Sequence, residues 1–241
     1  MALIKLTNVT VDYPIFNQYR DRSIKNKIFG SLIGGNIHSD NSKNKYIRAL
    51  ENINLTINSG DRFGFCGLNG SGKSTLLKVL SGSIIPTNGT VTREGKVSSL
   101  IEFSMGLDGE LTAVENITLR AGIKNMNKED IKKFIEDVLS FAELEKFSDI
   151  QISQYSAGMC LRLAFAMSTY DYSDILILDE IIFVGDSSFE EKIKLRLDKL
   201  ISNAKILIIA THNNNLLKKY CNKIIELKNE KIYSIKENQI I

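Results

Sequence analysis

The sequence predicts an α/β layered fold, and three observations carry that expectation. Residues 175–178 (Ile-Leu-Ile-Leu) and 206–209 (Ile-Leu-Ile-Ile) are uninterrupted apolar runs, as found in strands covered on both faces of a mainly parallel sheet. Residues 128–141 place Ile131, Phe134, Ile135, Val138 and Leu139 on one helical face, with Asn127 before them as a cap. Strand-like and helix-like segments alternate along the chain, the pattern of helices packed on a sheet.

Taken in order, Ile4, Leu6, Val9 and Val11 suit a first strand. Leu50, Ile53, Leu55 and Ile57 alternate loosely with polar residues, as a half-buried strand would. Between them, residues 16–48 read as a basic insertion, in which Arg20, Arg22, Lys25, Lys27, Lys43, Lys45 and Arg48 outweigh Asp21 and Asp40. Within it Gly34, Gly35, Asn36, Ser39, Asp40, Asn41 and Ser42 read as loop. Residues 19–33 read either as an irregular amphipathic helix with a basic flank or as a loop packed on its own domain. Residues 61–67 are strand-like and enter a Gly-rich turn, followed by a helix over about 73–81. Residues 156–169 read as a further helix, and 224–227 with 231–235 as an exposed hairpin.

Composition narrows the function classes. The 241 residues are 43% hydrophobic and 24% charged, which is ordinary for a globular chain. A net charge of +3 is too small to predict a nucleic-acid partner. No apolar run approaches the roughly 20 residues that span a bilayer, and Lys5, Asn8 and Asp12 interrupt any signal-peptide core. The chain is therefore expected in the cytoplasm unless something recruits it to a membrane. Cys66, Cys160 and Cys221 are isolated and odd in number, so they are expected as buried thiols rather than as a disulfide framework or a metal knuckle.

The chemistry is concentrated in a few motifs. Gly67-Leu68-Asn69-Gly70-Ser71-Gly72-Lys73-Ser74 matches the phosphate-binding pattern G-x-x-x-x-G-K-[ST] in full. Glycines let the backbone curl so that several N–H groups face one concavity, and the following helix adds its positive end. Gly67, Asn69, Gly70, Ser71, Gly72, Lys73, Ser74 and Thr75 are thus the candidate nucleotide-binding set, with Lys73 reaching the β- and γ-phosphates and Ser74 holding Mg²⁺. The run 175–178 ends in Asp179 and Glu180. Asp179 suits the Mg²⁺ shell, and Glu180 suits activation of a water that attacks the γ-phosphate. Tyr155-Ser156-Ala157-Gly158-Met159 opens a helix with small residues, which makes a second anion site that one nucleotide in one subunit does not need.

Together these three motifs resemble those of ATP-binding cassette proteins, with the usual L-S-G-G-Q altered at Tyr155, Ala157 and Met159. The resemblance implies a P-loop NTPase domain of the cassette type, with an antiparallel β portion and a helical portion around 115–170. It also implies that His212 faces the γ-phosphate, that Asp186 belongs to a dimer-contacting loop, and that Glu102 stands where the family keeps a metal-facing glutamine. An aromatic residue stacks on adenine in the family, and Tyr13 and Tyr46 are rivals for that place. ATP and Mg²⁺ are the implied ligands, and Ser156 and Gly158 of one copy would close on the nucleotide of another in a head-to-tail dimer.

The departures themselves form a recognisable set: the altered signature, Glu102, residues 106–117, Val184-Gly185-Asp186 and the long insertion. They resemble the ATPase subunit of bacterial exporters of lipid-linked polysaccharide, covering O-antigen, capsule and teichoic acid. That resemblance implies a separate integral-membrane permease as partner, a lipid-linked glycan as cargo, and a peripheral place at the cytoplasmic face of the cytoplasmic membrane. It implies one domain over 1–241 without a C-terminal carbohydrate-binding domain. The competing expectation is a soluble cassette ATPase not coupled to transport, as in DNA repair or translation. The sequence has neither the long coiled coil nor the second cassette usual in those proteins.

Overall fold

Period-two burial builds the N-terminal sheet. In β1 (Leu3–Pro14) Ile4, Leu6, Val9 and Val11 point into the core, and in β3 (Lys45–Asn58) Leu50, Ile53, Leu55 and Ile57 do the same. The computed structural model describes residues 1–15, 37–39, 45–100, 106–179 and 187–238. These form two compact units, one of Met1–Ile101, Asp174–Ile181 and Ala204–Ile241, the other of Glu102–Ser173 and Ile182–Asn203.

The first unit holds two sheets. One is antiparallel, in the order β2 (Ile37–Ser39), β3, β1, β5 (Asn88–Glu94). The β1–β3 ladder runs from Leu3 opposite Asn58 to Pro14 opposite Tyr46, and Ile15 N–H then donates to Lys45 O at 2.8 Å. Strand structure thus intrudes on the expected insertion: Ser39 lies in β2 rather than in a loop, and β3 begins at Lys45. The expected helix over 19–33 lies outside the described residues. Asn8 and Asn52 adopt positive φ (51° and 53°) where the β1 register shifts, a conformation asparagine tolerates.

The second sheet has the order β10 (Lys231–Glu237), β9 (Lys223–Lys228), β4 (Arg62–Cys66), β8 (Ile206–Ala210), β7 (Ile175–Asp179), β6 (Val97–Leu100). All neighbours are parallel except β10 on β9. The apolar runs become β7 and β8, with Ile175–Leu178 and Ile206–Ala210 all buried, as strands covered on both faces require. Helix α1 (Lys73–Ser81) sets Leu76, Leu77, Val79 and Leu80 into the same core as Phe65, Ile177 and Ile208. The C-terminal hairpin exists, turned by Asn229 and Glu230 at positive φ, but only β10 is an edge. Strand β9 pairs with β4 on its other side, so the expectation of an exposed hairpin is corrected for that strand.

The second unit is helical: α2 (Ala113–Ile123), α3 (Lys128–Ala142), α4 (Ala157–Ser168) and α5 (Ser187–Asn203). Thr112 and Glu115 form a reciprocal capping box at α2, and Asn127 caps α3 as its sequence position predicts. Ile117, Phe134, Val138, Leu163 and Met167 make its core. Of the three thiols, Cys221 is fully buried, whereas Cys66 and Cys160 are only half-buried, which corrects the expectation for those two.

Candidate functional site

Three strand ends of the parallel sheet finish level. Ala210 pairs with Phe65 on one side and Asp179 on the other, so β4, β8 and β7 deliver their following residues to one rim. Carboxyl ends of parallel strands are where ligands bind in such sheets. The Gly-rich turn and Lys73 follow β4, Asp179 closes β7, and the exposed His212 follows β8.

The turn is wrapped tightly against its neighbours. Gly67, Gly70 and Gly72 all have positive φ (147°, 78° and 97°). A Cβ at Gly72 would lie 2.5 Å from Ala49 O, and one at Gly67 would lie 2.5 Å from Leu227 O and 2.8 Å from Ser71 Oγ. Backbone from β3 and from β9 therefore fixes this loop, and glycine is required at both points for space as well as for φ.

The helix that follows is left ready for an anion. Side chains cap α2, α3, α4 and the short α6 (Asn214–Tyr220), through Thr112, Asn127, Ser156 and Asn213. At α1 the capping position is Gly72, with no side-chain cap and no acidic residue in the first turn. The helical ladder begins with Leu76 N–H donating to Gly72 O at 2.8 Å, so the N–H groups of Lys73, Ser74 and Thr75 precede it. Lys73 Nζ donates back to Gly67 O at 2.7 Å and Leu68 O at 3.1 Å. Ser71 Oγ is buried there without a hydrogen-bond partner. Such a cradle of backbone donors, one ammonium and a helix end fits a polyphosphate. The exposed Ser74 hydroxyl and the Asp179 carboxylate are hard oxygen donors, the chemistry Mg²⁺ takes alongside phosphate oxygens.

The two tyrosine candidates lie on opposite faces of the β1–β3 ladder. Tyr13 pairs with the buried Ile47, packs against the core, and has its hydroxyl 3.5 Å from Thr75 Oγ1 in the first turn of α1. Tyr46 stands on the other face with Asp12 and Arg48, whose guanidinium lies 5.3 Å from the Tyr46 ring centre. The structure thus brings Tyr13, and not Tyr46, to the helix of the phosphate cradle.

In the helical unit Ser156 caps α4, its Oγ accepting from Met159 N–H at 3.2 Å, and residues 156–158 are exposed. Tyr155 leaves the helix start by donating its hydroxyl to Phe147 O at 2.6 Å. Glu102, Glu180 and Asp186 lie outside the described residues.

Several contributors escape a reading of the sequence. Arg93 of β5 donates from Nε to Leu80 O at 2.9 Å and from Nη2 to Val79 O, closing the carboxyl end of α1. The Ala49 and Leu227 carbonyls that shape the turn are backbone atoms and carry no residue signature. Only tertiary pairing reveals either.

Comparison with known proteins agrees with this geometry. The family profile described as ABC transporter matches residues 50–182. The chain is 36% identical to an O-antigen export system ATP-binding protein, RfbE, of Yersinia enterocolitica, covering 97% of each chain. It is 35% identical to a teichoic acids export ATP-binding protein, TagH, of Staphylococcus epidermidis, covering 95% of this chain and 82% of that one. A dimeric ATP-binding cassette in a post-hydrolysis state, bound to ADP and Pi, superposes with a TM-score of 0.70 at 26% identity, over 99% of this chain and 100% of that chain.

Proposed function

Because this chain belongs to the ABC transporter family, we propose that it is the ATP-hydrolysing subunit of an exporter of lipid-linked polysaccharide, driving a separate membrane-spanning permease. The phosphates of ATP enter the cradle, and Lys73 exchanges the Gly67 and Leu68 carbonyls for β- and γ-phosphate oxygens. Mg²⁺ would supply charge neutralisation on those phosphates, the Ser74 hydroxyl and the Asp179 carboxylate would hold it, and Glu102 is the further candidate ligand that the sequence offers. Tyr13 stacks on the adenine; its place beside Thr75 supports this over Tyr46. Glu180 takes a proton from the attacking water, and His212 faces the γ-phosphate.

A second copy completes the site. Ser156 and Gly158 at its α4 start close on the γ-phosphate, with Asp186 in the contact, and a two-fold pair then holds two nucleotides. Loss of the γ-phosphate removes that cross-contact and lets the copies part, which is the motion offered to the permease. Among the described residues no helix is long and apolar enough to cross a membrane. A peripheral place at the cytoplasmic face, where the chain would meet both ATP and the permease, is part of the same proposal.

The similarity along 97% of both chains to an O-antigen export ATP-binding protein carries the assignment of cargo class. It is tested in two steps. Purified Glu180→Gln should bind ATP and lose turnover by ~100-fold or more. In cells the same variant should abolish surface glycan and accumulate its lipid-linked precursor. Undiminished turnover removes Glu180 from its role, and normal surface glycan in cells lacking the chain removes the export assignment.

A further inference from the structure

On the face of the β1–β3 ladder opposite Tyr13, Arg48 binds Asp12 through two parallel bonds, Nε to Oδ1 at 2.8 Å and Nη2 to Oδ2 at 3.1 Å. Both side chains are largely shielded, 22% and 15% exposed. The fork geometry fixes direction as well as distance. Arg48 also donates to the Tyr46 hydroxyl at 3.3 Å and to Glu51 Oε1 at 3.3 Å. Glu51 in turn pairs with Lys231 of β10 at 3.0 Å, and its N–H donates to Glu230 O at 2.8 Å. The hairpin partner of β10 is β9, whose Leu227 carbonyl backs Gly67.

Asp12 and Tyr13 are consecutive on one strand, so their side chains leave opposite faces of the sheet. Clamping Asp12 from behind therefore sets the direction of Tyr13 in front. The same chain of contacts, from Asp12 through Arg48, Glu51 and Lys231, ties that strand to the hairpin behind the phosphate turn.

We infer that Arg48 is a positioning residue for the adenine platform: through Asp12 it fixes Tyr13 relative to the phosphate turn, and so sets how much the base adds to nucleotide affinity. The inference rests on the reading of Tyr13 given above. Stacking is sensitive to ring plane and separation, so a small loss of order in β1 weakens contact with the base and leaves the phosphates untouched.

The test separates base from phosphate. Arg48→Gln in the purified full chain should raise KM for ATP about fivefold while kcat stays within about twofold. Affinity for inorganic tripolyphosphate, which has no base, should not change. Arg48→Lys keeps the charge and loses the fork, so it should behave like Arg48→Gln rather than restore the wild-type KM. If Arg48→Gln does not fold, Asp12→Asn carries the same expectation, with thermal melting recorded beside it. An equal fall in ATP and tripolyphosphate affinity, or no change in KM, overturns the proposal. Tyr13→Ala distinguishes the two levels. If it leaves KM for ATP unchanged, the adenine reading itself fails. If it raises KM and Arg48→Gln does not, that reading stands and the role of Arg48 falls. In the Tyr13→Ala background, Arg48→Gln should add nothing.

Discussion

The ammonium of Lys73 donates to the carbonyl oxygen of Gly67 at 2.7 Å, so this cation is held by the first residue of its own turn. In the proposed site, nucleotide replaces that neutral acceptor with charged ones, which are stronger. Lys73→Ala should weaken ATP binding ~10-fold or more, measured by titration with a fluorescent analogue. Melting temperature should move little, because the two carbonyls named here belong to the exposed Leu68 and the only partly buried Gly67. Unchanged affinity would remove Lys73 from the phosphate site.

A second prediction compares two glycines of similar φ. Gly72 (φ 97°) has Ala49 O 2.5 Å from its missing Cβ, whereas at Gly60 (φ 95°) no atom of the described residues lies within 4 Å of that position. Gly60→Ala should cost about 1 kcal/mol of stability and keep nucleotide binding. Gly72→Ala adds a backbone clash to the same strain, so it should cost more in urea unfolding and abolish binding. Equal behaviour of the two would mean that the packing of β3 on the turn is irrelevant.

The start of α4 offers a third. Among the described residues a Cβ at Gly158 meets only Ser156 Oγ, at 3.9 Å, so the single chain should accept Gly158→Asp. In the proposed pair that carboxylate meets the γ-phosphate at close range in poorly hydrated surroundings. ATP binding should be normal and the ATP-driven dimer absent by size exclusion. A dimer of normal strength would exclude the head-to-tail arrangement.

Burial pushes the Cys221 thiol up to about 12, while Cys66 and Cys160 are raised by burial but only half-enclosed. At pH 8 an alkylating reagent should modify Cys221 last, and all three only in denaturant. The linkage sign follows directly. Between about 9 and about 12 the folded chain keeps a proton that the unfolded chain loses, so this group lowers stability as pH rises through that window. Cys221→Ser should flatten that part of the stability–pH curve.

What the sequence exposes here is what periodicity and local chemistry encode. The turn from Gly67 to Ser74, the buried strands at 175–178 and 206–209 and the Asn127 cap are all local signals, and each is found where it was expected. Thr112-x-x-Glu115 is an equally local signal, confined to two residues, and in the structure it is the capping box of α2. Which of Tyr13 and Tyr46 lies beside α1 is not legible in the sequence, because it depends on which face of a ladder each occupies, and a register shift at Val11/Asp12 breaks the simple count. The true start of β3 at Lys45 was hidden for a similar reason. Lys45, Tyr46 and Arg48 read as the end of the basic insertion, and pairing with β1 overrides that tendency.

The pairing of Pro14 with Tyr46, and of Ile15 N–H with Lys45 O at 2.8 Å, has a consequence for how this chain can vary. Between those rungs the chain adds one described strand to the sheet, β2, which pairs with β3 from Ile37 opposite Ile47 to Ser39 opposite Lys45. The β1–β3 rungs close without it, so exchanging the residues between positions 15 and 45 gives up an edge strand and keeps the register of the frame behind it. For a flexible replacement, doubling the length adds only ~0.6 kcal/mol of closure entropy. Positions 15 and 45 are thus a grafting point for a reporter, an epitope or a relative's segment.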